Sequence, residues 1–166
     1  MRKGGNMAKL RYKLFWKSNG EEKEICPIQW DEKEIDYYSF VKENLDKGYH
    51  QISITCEMML SLIEQVAPLS NIRVTSIEMM EDDCEECERI NSLLDETIIN
   101  RGLIIEVIKT LKYLEDESSI EIKRMSLAED NKNTAFIQVN GLLGASDKDM
   151  RTIQEIISLV KGYINL

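Results

Sequence analysis

The sequence predicts an α+β fold, in which an antiparallel or mixed sheet of about five or six short strands is packed on one side by amphipathic helices. Two segments with alternating apolar and polar residues are typical of hairpins, at Lys9–Ile28 and Ile120–Val139. Between them, apolar residues recur at helical spacing. The 166 residues are 43 % hydrophobic and 31 % charged, which is enough to bury one core. We therefore expect a single domain over residues 9–166 after a flexible leader at residues 1–8.

The N-terminal hairpin carries the strongest local signal. From Lys9 to Trp16 apolar residues alternate with basic ones, which predicts a half-buried strand whose basic side chains face solvent. Asn19-Gly20 is a favoured two-residue turn, and a return strand to Ile28 follows it. Pro27 has no amide hydrogen for the ladder, so the return strand is expected at an edge of the sheet.

Helices and strands are predicted to alternate through the middle of the chain. Helices are expected over 35–45, from the N-cap Thr55 to Val66, over 84–99 and over 103–114, with strands over 51–55 and 72–79. An offset of 48 residues aligns the helix and strand at 59–79 with those at 107–127. Duplication of a helix–strand unit explains this alignment, and so does the shared periodicity of any two such pairs.

The C-terminal third is predicted to form a hairpin, a glycine-containing loop and a last helix. Strands are expected over 120–127 and 135–139, the loop over 141–145 and the helix over 147–163. Ser146 and Asp149 have the spacing of a capping box at the helix start. Backbone amides at a helix start bind anions, so Gly141, Gly144 and Ser146 are candidate ligand-binding residues.

Charge is unevenly distributed along the chain. Thirty acidic residues against 21 basic ones give a net charge of −9, which disfavours nucleic acid and anionic membranes as partners. Residues 78–88 contain seven acidic residues and no basic one. These residues are Glu78, Glu81, Asp82, Asp83, Glu85, Glu86 and Glu88. A solvated loop is the simplest interpretation of such a run, and a surface that binds a basic protein is the functional one.

The four cysteines are Cys26, Cys56, Cys84 and Cys87. They are too few for a disulfide scaffold, and no apolar run resembles an export signal or a membrane span, so a cytoplasmic protein is expected. Cys84 and Cys87 have the spacing of half a zinc site on a helix. No second pair with this spacing is present, and packing of small residues at a helix start is the simpler explanation, so we expect no cofactor, with zinc as the alternative.

Signatures of catalysis are missing from the sequence. The single histidine, His50, stands alone, and no nucleophile elbow, metalloprotease helix or phosphate-binding loop is present. No catalytic residue is therefore predicted. The sequence favours a non-enzymatic acidic module that occupies a basic partner surface, as inhibitors, immunity proteins and antitoxins do. The alternatives are a homo-oligomeric sensor of small molecules or nucleotides, with a homodimer as its simplest form, and an enzyme that uses carboxylates and a bound metal.

Overall fold

The computed structural model describes residues 10–69, 71–79, 85–117, 121–129, 133–146 and 151–164. In these ranges one antiparallel sheet of seven strands packs against five α-helices, which confirms the predicted α+β class. The strands are β1 (Leu10–Asn19), β2 (Glu22–Gln29), β3 (His50–Gln51), β4 (Ile72–Met79), β5 (Ile122–Glu129), β6 (Thr134–Gln138) and β7 (Leu142–Ala145). The helices are α1 (Tyr37–Asp46), α2 (Cys56–Val66), α3 (Glu85–Glu96), α4 (Ile104–Asp116) and α5 (Arg151–Val160).

The sheet has the strand order β2-β1-β7-β6-β5-β4, and the short β3 pairs with β1 beyond the end of β7. The predicted N-terminal hairpin is confirmed, because β1 and β2 pair in register up to Asn19↔Glu22. Gly20 has a φ of 68° in the connecting turn, a backbone conformation that suits glycine. β2, which contains Pro27, forms one edge of the sheet as the missing amide hydrogen predicts.

The predicted loop at 141–145 is wrong, because Leu142–Ala145 forms β7 in the centre of the sheet. β7 pairs antiparallel with β1 on one side and with β6 on the other, so it joins the two predicted hairpins. Ser146, the predicted helix cap, lies directly after β7. Its Oγ accepts a hydrogen bond from Thr134 N at 2.9 Å, next to the sheet. Asp149 lies outside the described residues.

Helices cover both faces of the sheet, whereas the sequence predicts them on one side only. α2, α3, α4 and α5 enclose the main core on one face, through residues such as Leu62, Leu94 and Leu111. α1 packs on the other face, where Phe15 contacts Phe40 with ring centroids 6.1 Å apart. The consecutive apolar residues 14–16 of β1 explain the difference, because such a run presents apolar side chains to both faces.

The basic row of β1 does not lie on a solvent-exposed face, so that prediction is also wrong. Lys13 is only 1 % exposed, and its Nζ donates a hydrogen bond to the carbonyl oxygen of Asn140. Arg11 is half-buried and forms an ion pair with Glu32 at 2.8 Å. Lys9 lies outside the described residues. The row therefore offers no continuous set of exposed cations for a phosphate backbone.

The remaining elements follow the sequence prediction with small shifts at their ends. Thr55 Oγ1 caps α2 by accepting a hydrogen bond from Met58 N at 3.1 Å. The strand expected at 51–55 shrinks to the two residues of β3. α2 and α4 contact each other and β4 pairs with β5, so the two units of the 48-residue alignment are neighbours. Both units bury their apolar stripes, as periodicity alone also predicts, and the duplication stays a prediction.

Several predictions concern residues that the structure does not describe. They include the leader at residues 1–8 and one cysteine of the zinc hypothesis, Cys84. They also include three acids of the acidic run: Glu81, Asp82 and Asp83. Within the described ranges, the helices are all too short or too polar to cross a membrane.

Candidate functional site

Helix α3 lies along the free edge of strand β4. Ile90 and Leu94 are fully buried in the main core and fix the inner side of the helix. The side-chain amide of Asn91 pairs with the backbone of Ile77 as a neighbouring strand would. Asn91 Oδ1 accepts from Ile77 N at 2.8 Å, and Asn91 Nδ2 donates to Ile77 O at 2.9 Å. The opposite side of α3 therefore faces solvent.

The solvent side of α3 is strongly acidic. Residues 85–96 contain five acidic side chains, all exposed, and a single base, Arg89. The acids are Glu85, Glu86, Glu88, Asp95 and Glu96. Glu78 belongs to the same end of the helix, because the preceding residue, Ile77, contacts Cys87 in the first turn of α3. Glu78 is exposed and lies 3.7 Å from Lys123 Nζ. The structure thus brings together the described members of the predicted acidic run, and the acids of the first turn also suit the helix dipole.

Exposed isoleucines continue this surface beyond the end of α3. Ile98 is 63 % exposed, Ile99 95 % and Ile105, in the first turn of α4, 55 %. Arg101 holds the loop that carries them, since its Nη2 donates hydrogen bonds to the carbonyl oxygens of Ala67 and Leu69 at the end of α2. We call this set, Ile98, Ile99 and Ile105, the isoleucine tip. Exposed apolar clusters on a folded domain mark interaction sites.

Sequence reasoning missed the isoleucine tip, because the predicted helix at 84–99 includes Ile98 and Ile99. The available signal was the pair of consecutive isoleucines just before Asn100-Arg101-Gly102, which reads as a turn. Apolar residues that adjoin a turn cannot all reach the core.

The cysteines of the described residues show a structural environment. Cys87 Sγ lies 3.5 Å from Ile77 O, at the contact between α3 and β4. Cys26, Cys56 and Cys87 are free thiols, each half-buried. Burial raises the pKa of Cys56, and the nearby carboxylates of Glu115 and Glu121 raise it further, which disfavours the thiolate. Among the residues described, no three side chains of the metal-binding types come together, and the zinc hypothesis gains no third ligand.

The residues of the predicted anion loop have other neighbours. Gly141 has a φ of 81° and makes the turn before β7, and its carbonyl oxygen accepts from Leu14 N at 2.9 Å. Gly144 lies inside β7 opposite Phe136 of β6. The single histidine, His50, lies outside this loop; it is exposed and stacks on Trp16 with ring centroids 4.0 Å apart. Strand pairing thus accounts for the glycines, while the residues that would begin the following helix lie outside the described ranges.

Comparison of the chain with protein-family models, with curated protein sequences and with solved structures finds no match.

Proposed function

We propose that the chain is a non-enzymatic protein-binding module that occupies a basic surface of its partner, as an inhibitor, immunity protein or antitoxin does. The observation that carries the proposal is the succession of exposed acidic and apolar groups along α3 and the turn that leads from it into α4. Five exposed carboxylates lie on α3, and the isoleucine tip follows directly. Protein interfaces combine an apolar contact with a polar rim in this way.

The two parts of the surface have different tasks. Carboxylates attract a basic partner over a distance and so raise the association rate, which falls as salt screens the charges. The isoleucine tip adds apolar burial once contact is made and so lowers the dissociation rate. A second copy of this chain is a poor partner at this surface, because two acidic helices repel each other.

Charge reversal of the first turn of α3 tests the steering role. We expect E85K/E86K/E88K to slow association with the partner by more than about tenfold at low salt and to flatten its salt dependence. The partner is first recovered from cell extract on immobilised wild-type protein, and its rates are then measured by surface plasmon resonance. The control carries the same charge change on three exposed glutamates of the β1–β2 hairpin: Glu21, Glu22 and Glu24.

Two results would contradict the proposal. One is an association rate for the α3 variant that equals that of the hairpin control. The other is a partner whose contact surface is acidic.

Ile99→Asp tests the role of the isoleucine tip in slowing dissociation. Because Ile99 is 95 % exposed, its replacement should leave the fold intact while dissociation from the partner becomes faster.

A further inference from the structure

A groove of 240 Å³ lies on the sheet face opposite to α2–α5, over strands β4 to β7. Its wall residues alternate along the strands with core residues such as Met125 and Ile137, which places them on the other face. Side chains with hydroxyl groups line it, together with small residues and Phe136. Among the described residues of the lining, Arg124 is the only charged one. The hydroxyl side chains are Thr75, Ser126 and Thr134, and the small residues include Ala128 and Gly144.

Arg124 is held in one orientation by residues of β6. Its guanidinium carbon lies 4.4 Å from the ring centroid of Phe136, and its Nε donates to Gln138 Oε1 at 2.9 Å. Nη2 donates to the same oxygen. Glu78 is the residue directly opposite Arg124 in the β4–β5 pairing, yet its carboxylate contacts Lys123 instead. Arg124 thus lies against Phe136 and Gln138 in the wall of the groove, and its described contacts include no carboxylate.

Hydrogen-bonding capacity remains on this guanidinium. The group has five N–H donors, and Gln138 takes two of them. In the part of the chain that the structure describes, the other three have no protein acceptor. A half-buried guanidinium with one face on an aromatic ring is partly stripped of water, which strengthens its bonds to an anion.

Gly144 allows this arrangement to exist. A Cβ atom at position 144 would lie 2.0 Å from Phe136 Cε2, so any larger residue would displace the ring that supports Arg124. Glycine in the interior of a strand costs stability, and here the missing side chain makes room for the ring. Phe136 and Gly144 are directly opposite each other in the β6–β7 pairing.

We propose that this groove binds the carboxylate of a small organic anion, with Arg124 as the charged contact. The planar fork of a guanidinium matches a carboxylate, and the hydroxyl groups of the walls supply further donors. One cation in the lining balances one negative charge, and the net charge of −9 opposes ligands with several. The volume is below that of pockets for drug-sized molecules. The proposal does not rest on the carboxylates of α3 or on the isoleucine tip.

The test titrates the full chain with acetate, hexanoate and benzoate in turn. Binding is measured from the changes in backbone amide chemical shifts in NMR spectra. We expect at least one carboxylate to bind, with the shifts centred on β5, β6 and β7. Benzamide, which has the shape of benzoate without its charge, should bind more than about tenfold more weakly. Inorganic phosphate reports whether a different oxyanion is preferred.

Arg124→Met keeps an apolar stem over Phe136 and removes the charge, so carboxylate affinity should fall more than about tenfold. Lys123→Met, which removes a neighbouring exposed charge, is the matched control and should bind like wild type. If Arg124→Met does not fold, Arg124→Lys keeps the charge without the planar fork and should still weaken binding. The proposal is overturned if no carboxylate binds the wild type, if the Arg124 variants bind normally, or if phosphate binds more tightly than every carboxylate.

Discussion

Lys13 is a buried cation, and among the described residues its one hydrogen-bond partner is the carbonyl oxygen of Asn140. Phe15 adds a weak cation–π contact, with Nζ 5.6 Å from the ring centroid. Burial disfavours the charged form and lowers the pKa of Lys13 from 10.5 to about 8. The protonated amine therefore costs the folded state free energy at neutral pH, by at most about 3 kcal/mol.

This cost changes with pH in a defined window. Below about pH 8 both the folded and the unfolded chain carry the proton on Lys13, so the cost is constant. Between about pH 8 and 10.5 only the unfolded chain holds it, and folded stability rises with pH. We expect Lys13→Met to be more stable than wild type at pH 7 and to lose that advantage towards pH 10. Urea denaturation at each pH measures the difference.

Lys17→Met is the control for this prediction, because Lys17 lies on the same face of β1 but is exposed. A difference between Lys13→Met and wild type that stays constant from pH 7 to pH 10 would show that Lys13 titrates normally.

Gly141 combines two constraints that no other residue type satisfies. Its φ is 81°, and a Cβ at this position would lie 2.1 Å from the carbonyl oxygen of Ile52. We expect Gly141→Ala to lower the free energy of unfolding by about 2 to 4 kcal/mol. Gly20→Ala is the control, since Gly20 has a φ of 68° but nothing within 4 Å, and should cost about 1 kcal/mol. Equal losses in thermal or urea unfolding would refute the role of the Ile52 contact.

At the scale of the element, α3 both closes the sheet and presents the acidic surface. An open strand edge invites pairing with other chains, and natural sheets cover such edges. Here the side-chain amide of Asn91 covers the edge of β4 by bonding to the backbone of Ile77. Ile90 and Leu94 anchor the helix in the core. The position of the carboxylates thus follows from a contact that protects the edge of β4.

Replacing Asn91 tests whether α3 closes the edge of the sheet. We expect Asn91→Leu to lower the free energy of unfolding by about 1 to 3 kcal/mol, because two backbone groups of Ile77 lose their partners. The uncovered edge should also promote self-association, visible by size-exclusion chromatography. Ser92→Ala, on the exposed side of the same helix, should change neither property. An Asn91→Leu protein as stable as the Ser92 control would refute the edge-closing role.

The elements that the sequence predicts well are those with a long periodic pattern. β1, β4 and α4 each repeat their apolar residues over several turns or alternations. β7 could not be predicted in this way, because its four residues, Leu-Leu-Gly-Ala, are too few to show a period and contain a glycine. The sequence also does not show which face of the sheet α1 covers, since both faces of β1 carry apolar residues.

At the scale of the whole molecule, the acidic surface lies around α3 at the β4 edge of the sheet, whereas the groove lies over strands β4 to β7. The acidic surface could be predicted in part, because its charges are consecutive in sequence. The groove could not, since Arg124, Phe136 and Gly144 come from three strands and have no common motif. Only the strand register brings these residues together, and a single sequence does not fix the register between strands that are distant along the chain.

The position of β7 in the sheet also affects the order in which the strands pair during folding. Each of the two terminal hairpins contains only local contacts, whereas the pairing of Lys13 with Leu142 spans most of the chain. Long-range pairing of this kind costs loop-closure entropy and forms late. During synthesis the hairpin β1–β2 therefore leaves the ribosome long before β7, so residues 10–13 on the inner edge of β1 stay uncovered until β7 is made. In that interval the exposed edge of β1 is the place where a folding chain of this protein is most open to wrong pairing.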